Sequence, residues 1–290
     1  MSQSIEDLIK VAEANEDQTV TTEGGDYEYT PPVAGKTVGR MIEYIELGKQ
    51  KQKPYQGKAK PDAEKVRVTF ELLSPTKNIK EIEVNGEKKK VAEYITVTVA
   101  KKFSEKASYK KLVNKLIYGR PITHIARCLG NAYIFNIVHN ESEVNGVKKV
   151  YANIQDDNGW LIEPPKVEDA ITGEVKNVNV PEHMNPLKIF LWDNPTKETW
   201  DSLYIDGTRE VKNGDKVEQV SKNWLQETIL AASDYPGSKL QLMLGATTEK
   251  DLAVDEIMKS EQSKAEDLPA DDVKTDDAAQ FDALAELGLG

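Results

Sequence analysis

The residues that stand out for their chemistry are lysines interleaved with tyrosine. From Gly48 to Pro61 the chain reads GKQKQKPYQGKAKP, with Lys49, Lys51, Lys53, Lys58 and Lys60 around Tyr55. Lys88, Lys89 and Lys90 form a second group, and Lys101, Lys102, Lys106, Lys110 and Lys111 a third. Ammonium groups at such spacing can neutralise successive phosphates, and an aromatic ring among them offers a face for a base, each stack contributing about 1–3 kcal/mol. Arg40, Tyr44, Arg67, Tyr133 and Tyr151 lie in the flanking β-patterned segments and complete the candidate set. The same clusters would also suit a plain solvated surface, so their weight depends on how charge is spread along the chain.

The chain has 290 residues, 38 basic and 49 acidic, for a net charge of −11. As a sum this argues against a polyanionic ligand; its distribution argues the other way. Residues 1–35 hold 1 basic and 8 acidic side chains, whereas residues 36–160 hold 24 and 14. Residues 161–248 hold 9 and 14, and residues 249–290 hold 4 and 13. A basic middle is flanked by acidic ends, the footprint expected of a segment that meets nucleic acid.

Other chemistry fails on context. Ala34-Gly35-Lys36-Thr37 looks like the end of a P-loop, but the glycine required five positions before Gly35 is Thr30. A strand pattern follows it, so no helix N-terminus would meet the phosphate. His124, His139 and His183 share no metal spacing with Cys128, the single cysteine, which also excludes an internal disulfide. Asn140-Glu141-Ser142 fits a glycosylation acceptor only by chance, because the acidic start MSQSIED carries no secretory signal. No nucleophile, base and orienter can be assembled, so the expectation is a non-enzymatic chain with no cofactor and no metal. With no apolar run near 18 residues, no membrane partner is expected and a soluble cytoplasmic chain is.

The elements that must position the lysines read as β. Val38 to Leu47 makes a first strand, apolar in part on both faces, and the basic segment 48–61 is expected to be a long loop without regular structure. Lys65 to Leu73 gives the clearest alternation, with Val66, Val68, Phe70 and Leu72 on one face. Asn85-Gly86 marks a turn in a small excursion, and a third strand follows over about 91–102. A helix is expected from an N-cap at Ser104 to Gly119, then a shorter one over 121–129. Strands over 132–139 and 149–154, joined through Asn145-Gly146, close the set. Trp160 is expected to cap the end of this β segment.

The expected fold class is mainly β (α+β): a five-stranded OB-fold Greek-key barrel with a helical insert between strands three and four. A C-terminal extension and a disordered acidic tail follow. Residues 1–35 form an acidic N-terminal arm with a weak helical stripe at Ile5, Leu8, Ile9 and Ala12, and residues 36–160 the barrel. Residues 161–248 hold a proline-punctuated linker and a segment with Trp192, Trp200 and Trp224 that should pack on the barrel, with a helix over 221–232. Residues 249–290 are the tail, with Phe281, Leu284 and Leu287 at helical spacing suited to a partner groove.

Through TVGRMIEYIELG and the loop KQKQKPYQGKAKP, the alternating KVRVTFELL, and the hairpin AYIFNIVHN…KKVYANIQD, the chain resembles the single-stranded-DNA-binding proteins of tailed bacteriophages. These combine an OB-fold with an acidic C-terminal tail. The resemblance covers about residues 36–160, and the tail in character; the tail ends in Leu-Gly-Leu-Gly rather than an acidic-aromatic tip, and the tryptophan-bearing segment is extra. It implies sequence-tolerant binding of single-stranded DNA in phage replication, recombination and repair in the host cytoplasm, with the tail modulating binding and contacting phage replication proteins. Arg40, Lys49, Lys51, Lys53, Lys58, Lys60, Arg67, Lys101 and Lys102 would then meet phosphates, and Tyr44, Tyr55, Tyr133 and Tyr151 would stack on bases. The rival expectations are a virion structural or assembly protein with an OB-like core, and a nuclease acting on the same strands.

Overall fold

The alternation of Val66, Val68, Phe70 and Leu72 builds the middle of a large antiparallel sheet. The computed structural model describes residues 30–245 except 56, 85–86, 145–146 and 214–215, so the expected N-terminal helix and the tail lie outside the described residues. The strands are β1 (Gly35–Tyr55), β2 (Lys58–Leu72), β3 (Ile79–Val84), β4 (Glu87–Ala100), β5 (Ala132–Val144) and β6 (Val147–Asn153), with helix α1 (Ser108–Ile117) between β4 and β5. Their order in the sheet is β3-β4-β2-β1-β5-β6. Short strands β7 (Gln155–Asp156), β8 (Gly159–Trp160) and β9 (Ile162–Glu163) follow, then the hairpin of β10 (Lys166–Glu168) and β11 (Val175–Asn177). Further on come β12 (Lys188–Phe190), α2 (Lys197–Asp201), the hairpin of β13 (Thr208–Asn213) and β14 (Lys216–Ser221), α3 (Trp224–Leu230) and α4 (Lys239–Leu244). Through β9 on β5 and β12 parallel on β1, the main sheet has eight strands.

The mainly β class agrees with expectation; a closed five-stranded barrel does not describe this sheet. Its path ends at β3 and β6, and no pairing joins those ends among the described residues. Both end strands carry exposed charge, Lys80, Glu81 and Glu83 on β3 and Lys148 and Lys149 on β6, which is how an edge is kept from pairing further. The excursion and the expected third strand prove to be one hairpin, since β4 pairs with β3 over 87–92 and with β2 over 93–100.

Two further expectations change. The basic segment is not an irregular loop: β1 and β2 stay paired from Lys49 to Tyr55 and from Lys58 to Glu64, forming a two-stranded arm. Its register shifts between Gln50 and Gln52 and again between Gln52 and Tyr55, and Pro54 falls in the second shift, where a missing N–H costs the ladder least. The expected N-cap Ser104 instead closes a turn with Ala107, and α1 starts at Ser108 with no side-chain cap. Of the shorter helix only the 3-10 turn Ile125–Cys128 forms.

One core lies between the sheet and α1. Met41, Tyr44, Val66, Val68, Phe70 and Ile95 meet Tyr109, Leu112 and Leu116 there, and Trp160 closes one end by donating its indole N–H to the Ser108 carbonyl at 2.9 Å. The second face of β1 is covered as well. Ile45 and Leu47 pack against Phe190, Trp200, Leu203, Leu225 and Ile229 of the tryptophan-bearing segment.

That cover explains why the central strands bury charge. Its connector, residues 180–192, runs with little regular structure, so its backbone groups need partners from the sheet. The Glu71 carboxylate, fully buried, accepts from the backbone N–H groups of Met184 (2.8 Å) and Asn185 (3.2 Å). Glu46 accepts from the Trp192 N–H at 2.9 Å. Arg40, the cross-strand neighbour of Glu71, donates to the carbonyls of Val180, Pro181 and Gly130 and to Glu182. Arg67 sits beneath the Trp224 ring, 4.8 Å from its centroid, and 3.7 Å from Glu43.

Candidate nucleic-acid interface

The structure divides the thirteen candidate residues sharply. Tyr44, Tyr133 and Tyr151 are buried, with exposures of 0%, 0% and 2%, and present no ring face to a base. Tyr44 donates its hydroxyl to Glu46 at 2.9 Å and Tyr133 to the Leu116 carbonyl at 3.0 Å; burial pushes both hydroxyls far above the usual tyrosine range. Arg67 is buried beneath Trp224, and Arg40 is spent on the connector. Lys101 is tied to Glu46 at 2.6 Å. These six side chains hold the fold together rather than facing a ligand. Lys49, Lys51, Lys58, Lys60 and Lys102 are exposed, while the side chains of Lys53 and Tyr55 lie outside the described residues.

Three hairpins of the main sheet carry lysine, and cross-strand register separates them. Between β3 and β4, Glu81 lies opposite Lys90 and Glu83 opposite Lys88; between β5 and β6, Glu143 lies opposite Lys148. Opposite charges directly across a ladder neutralise one another locally. The β1–β2 arm differs. Residues 49–65 hold six lysines and two acids, and although Lys49 lies opposite Glu64, Lys60 faces Gln52 and Lys58 faces Tyr55. By composition the arm carries an excess of four positive charges, larger than that of either other hairpin.

The arm is anchored at its base. At Lys49 the backbone N–H donates to Asp234 at 2.7 Å and the carbonyl accepts from Ser233 at 2.9 Å, while Gln50 donates to the Thr228 carbonyl at 2.8 Å. Gly48 makes the bend: it has φ +70°, and a Cβ there would lie 2.7 Å from both Ala232 and the Trp192 ring.

Beside that base lies the loop from β4 to α1. The Lys101 N–H donates to the Glu64 carbonyl at 2.7 Å, and Glu64 is the register partner of Lys49, so the loop and the arm leave the sheet at one level. The loop carries Lys102 and Lys106, both exposed, and between them Phe103, 66% exposed, whose ring meets Tyr109 edge-on at 5.6 Å. The Lys101–Glu46 pair fixes the loop's start. Burial alone would raise the Glu46 carboxyl, but hydrogen bonds from Lys101, Trp192 and Tyr44 hold it below the usual carboxylate range. Burial likewise works against the Lys101 ammonium, and Glu46 overcomes it, raising Lys101 above the usual lysine value. Sequence reasoning missed Phe103; the signal available was a lone aromatic inside Lys101-Lys102-Phe103-Ser104-Glu105-Lys106 that fits no apolar period.

Among the described residues no group of three or more His, Cys, Asp or Glu side chains is arranged to hold a metal ion. No helix among them is long and apolar enough to cross a membrane. Compared with protein-family models, with curated proteins and with solved structures, the chain matches none.

Proposed function

We propose that the chain is a non-enzymatic, sequence-tolerant single-stranded-DNA-binding protein acting in phage DNA replication, recombination and repair in the host cytoplasm. The observation that carries this is the β1–β2 arm, six lysines against two acids, leaving the sheet level with the lysine loop 101–106. Such an arm tracks phosphates without reading base edges, and its affinity comes from counterion release.

The topology supports the same reading. With β3 set aside, the strands run β4-β2-β1-β5-β6, an open form of the five-stranded OB arrangement with α1 inserted where an OB-fold places its helix. In OB-folds the connection between the first two strands helps to bind oligonucleotides, and here that connection is the arm. The acidic residues 249–290 act as a tethered competitor for the arm and, once displaced, meet phage replication proteins.

Fluorescence polarisation of a labelled oligothymidine at two salt concentrations, with matched duplex as competitor, tests this. Binding that weakens steeply with salt and resists the duplex is the expected result. Absence of binding favours a virion structural or assembly role, for which the β10–β11 hairpin is the relevant feature. There the Asp169 carboxylate accepts from the N–H groups of Ile171 and Thr172 and holds Ile171, 95% exposed, at the tip.

A further inference from the structure

The arm explains attraction to phosphate but not preference for a single strand, because lysines meet the phosphates of a duplex equally well. Preference requires a surface that only an unstacked base can use, and the three buried tyrosines supply none. Phe103 is placed to do so. It lies in the lysine loop at the arm's base, with 66% of its surface exposed and its ring braced edge-on by Tyr109 at an interplanar angle of 85°. A large apolar ring held open between Lys102 and Lys106 gains nothing for folding by its exposure.

The loop that carries it is tied to the fold on both sides of the ring. Lys101 is fixed twice, by its ammonium on Glu46 at 2.6 Å and by its N–H on the Glu64 carbonyl at 2.7 Å. The Lys102 N–H donates to the Ala100 carbonyl and the Ala107 N–H to the Ser104 carbonyl, each at 2.8 Å, so both sides of Phe103 are tied. A pre-set ring loses little freedom when a base lands on it.

We propose that Phe103 is a base-stacking residue of this protein and contributes to its discrimination between single-stranded and duplex DNA. This rests on the reading of the arm as a single-strand site and adds a division of labour: the arm lysines supply affinity common to both forms, and Phe103 adds affinity for the single strand alone.

The test compares the full chain with Phe103→Ala, Phe103→Trp and the triple variant Lys51→Ala, Lys58→Ala, Lys60→Ala. Each is titrated against oligothymidine and against duplex of equal length at two salt concentrations. Phe103→Ala should lose about 5- to 150-fold in oligothymidine affinity, the equivalent of one stacked base, at both salts and with the salt slope unchanged. Its duplex affinity should stay at the wild-type level, and Phe103→Trp should restore the preference. The triple variant should weaken both ligands. If Phe103→Ala keeps the wild-type preference while the triple variant loses affinity, the arm stands and the stacking role falls. Equal loss for strand and duplex in Phe103→Ala also overturns the role, by showing a structural effect. No oligothymidine binding by the wild-type chain overturns both.

Discussion

Glu46 and Lys101 bind each other in a partly buried place because each has work beyond the pair: Glu46 also holds Tyr44 and the Trp192 N–H, and Lys101 starts the loop that carries Phe103. Their contribution to stability has a pH window. The folded carboxyl lies below its usual range, so its share is full above that range and is lost as pH falls through the depressed value. The folded ammonium lies above its usual range, so its share is full below that range and is lost as pH rises through the raised value. Glu46→Gln should cost about 2 kcal/mol near neutrality, by leaving a half-buried ammonium without its counter-charge. Thermal melts from pH 7 to pH 3 should show a smaller loss for this variant than for the wild type; parallel curves would refute the assignment. At this scale the exposure of Lys49, Lys51, Lys58 and Lys60 was legible in the sequence, and the burial of Tyr44, Tyr133 and Tyr151 was not. Alternation tells inside from outside only when one face is wet, and β1 is covered on both, with Tyr44 toward α1 and Ile45 toward Phe190 and Trp200.

The long arm is the element on which the proposed function turns, and GKQKQKPYQGKAKP shows none of the apolar alternation by which strands are recognised. It is extended because both flanking strands run on past the core and keep pairing, with register shifts absorbing the irregularities. No single-sequence pattern encodes that continuation. The strands rooted in the core were readable, since Val66, Val68, Phe70 and Leu72 all reach zero exposure as their spacing required. Gly48 joins core to arm and admits no side chain, for it combines positive φ with close approach to Trp192 and Ala232. Gly48→Ala should therefore destabilise the chain by about 2–4 kcal/mol in chemical denaturation, through left-handed strain and overpacking together. A change below about 0.5 kcal/mol would show that the bend does not depend on glycine.

Over the whole molecule, charge is sorted rather than balanced. The middle is basic, the C-terminal residues are acidic, and the sheet's buried charges are consumed in holding its own cover, as Arg40 and Glu71 do for residues 180–185. Net charge hid the basic middle, which is visible only in how charge is distributed along the chain; the clasping role of Arg40 and Arg67 was out of reach because the cover residues they hold, Val180 and Trp224, lie more than 100 residues away in sequence. If residues 249–290 compete for the arm, a chain ending at residue 248 should bind oligothymidine more tightly, with the larger gain at low salt, where the tail's charges are least screened. Weaker binding by the shortened chain would overturn the competitor role. The most direct test of the arm itself is the salt dependence of oligothymidine affinity, measured for the wild type and for Lys51→Ala, Lys58→Ala, Lys60→Ala. With six arm lysines engaged, the wild-type slope of log affinity against log salt should be on the order of −4, and the triple variant should be shallower by about 2. Coincident slopes for the two proteins, or a wild-type affinity that salt leaves unchanged, would contradict the account.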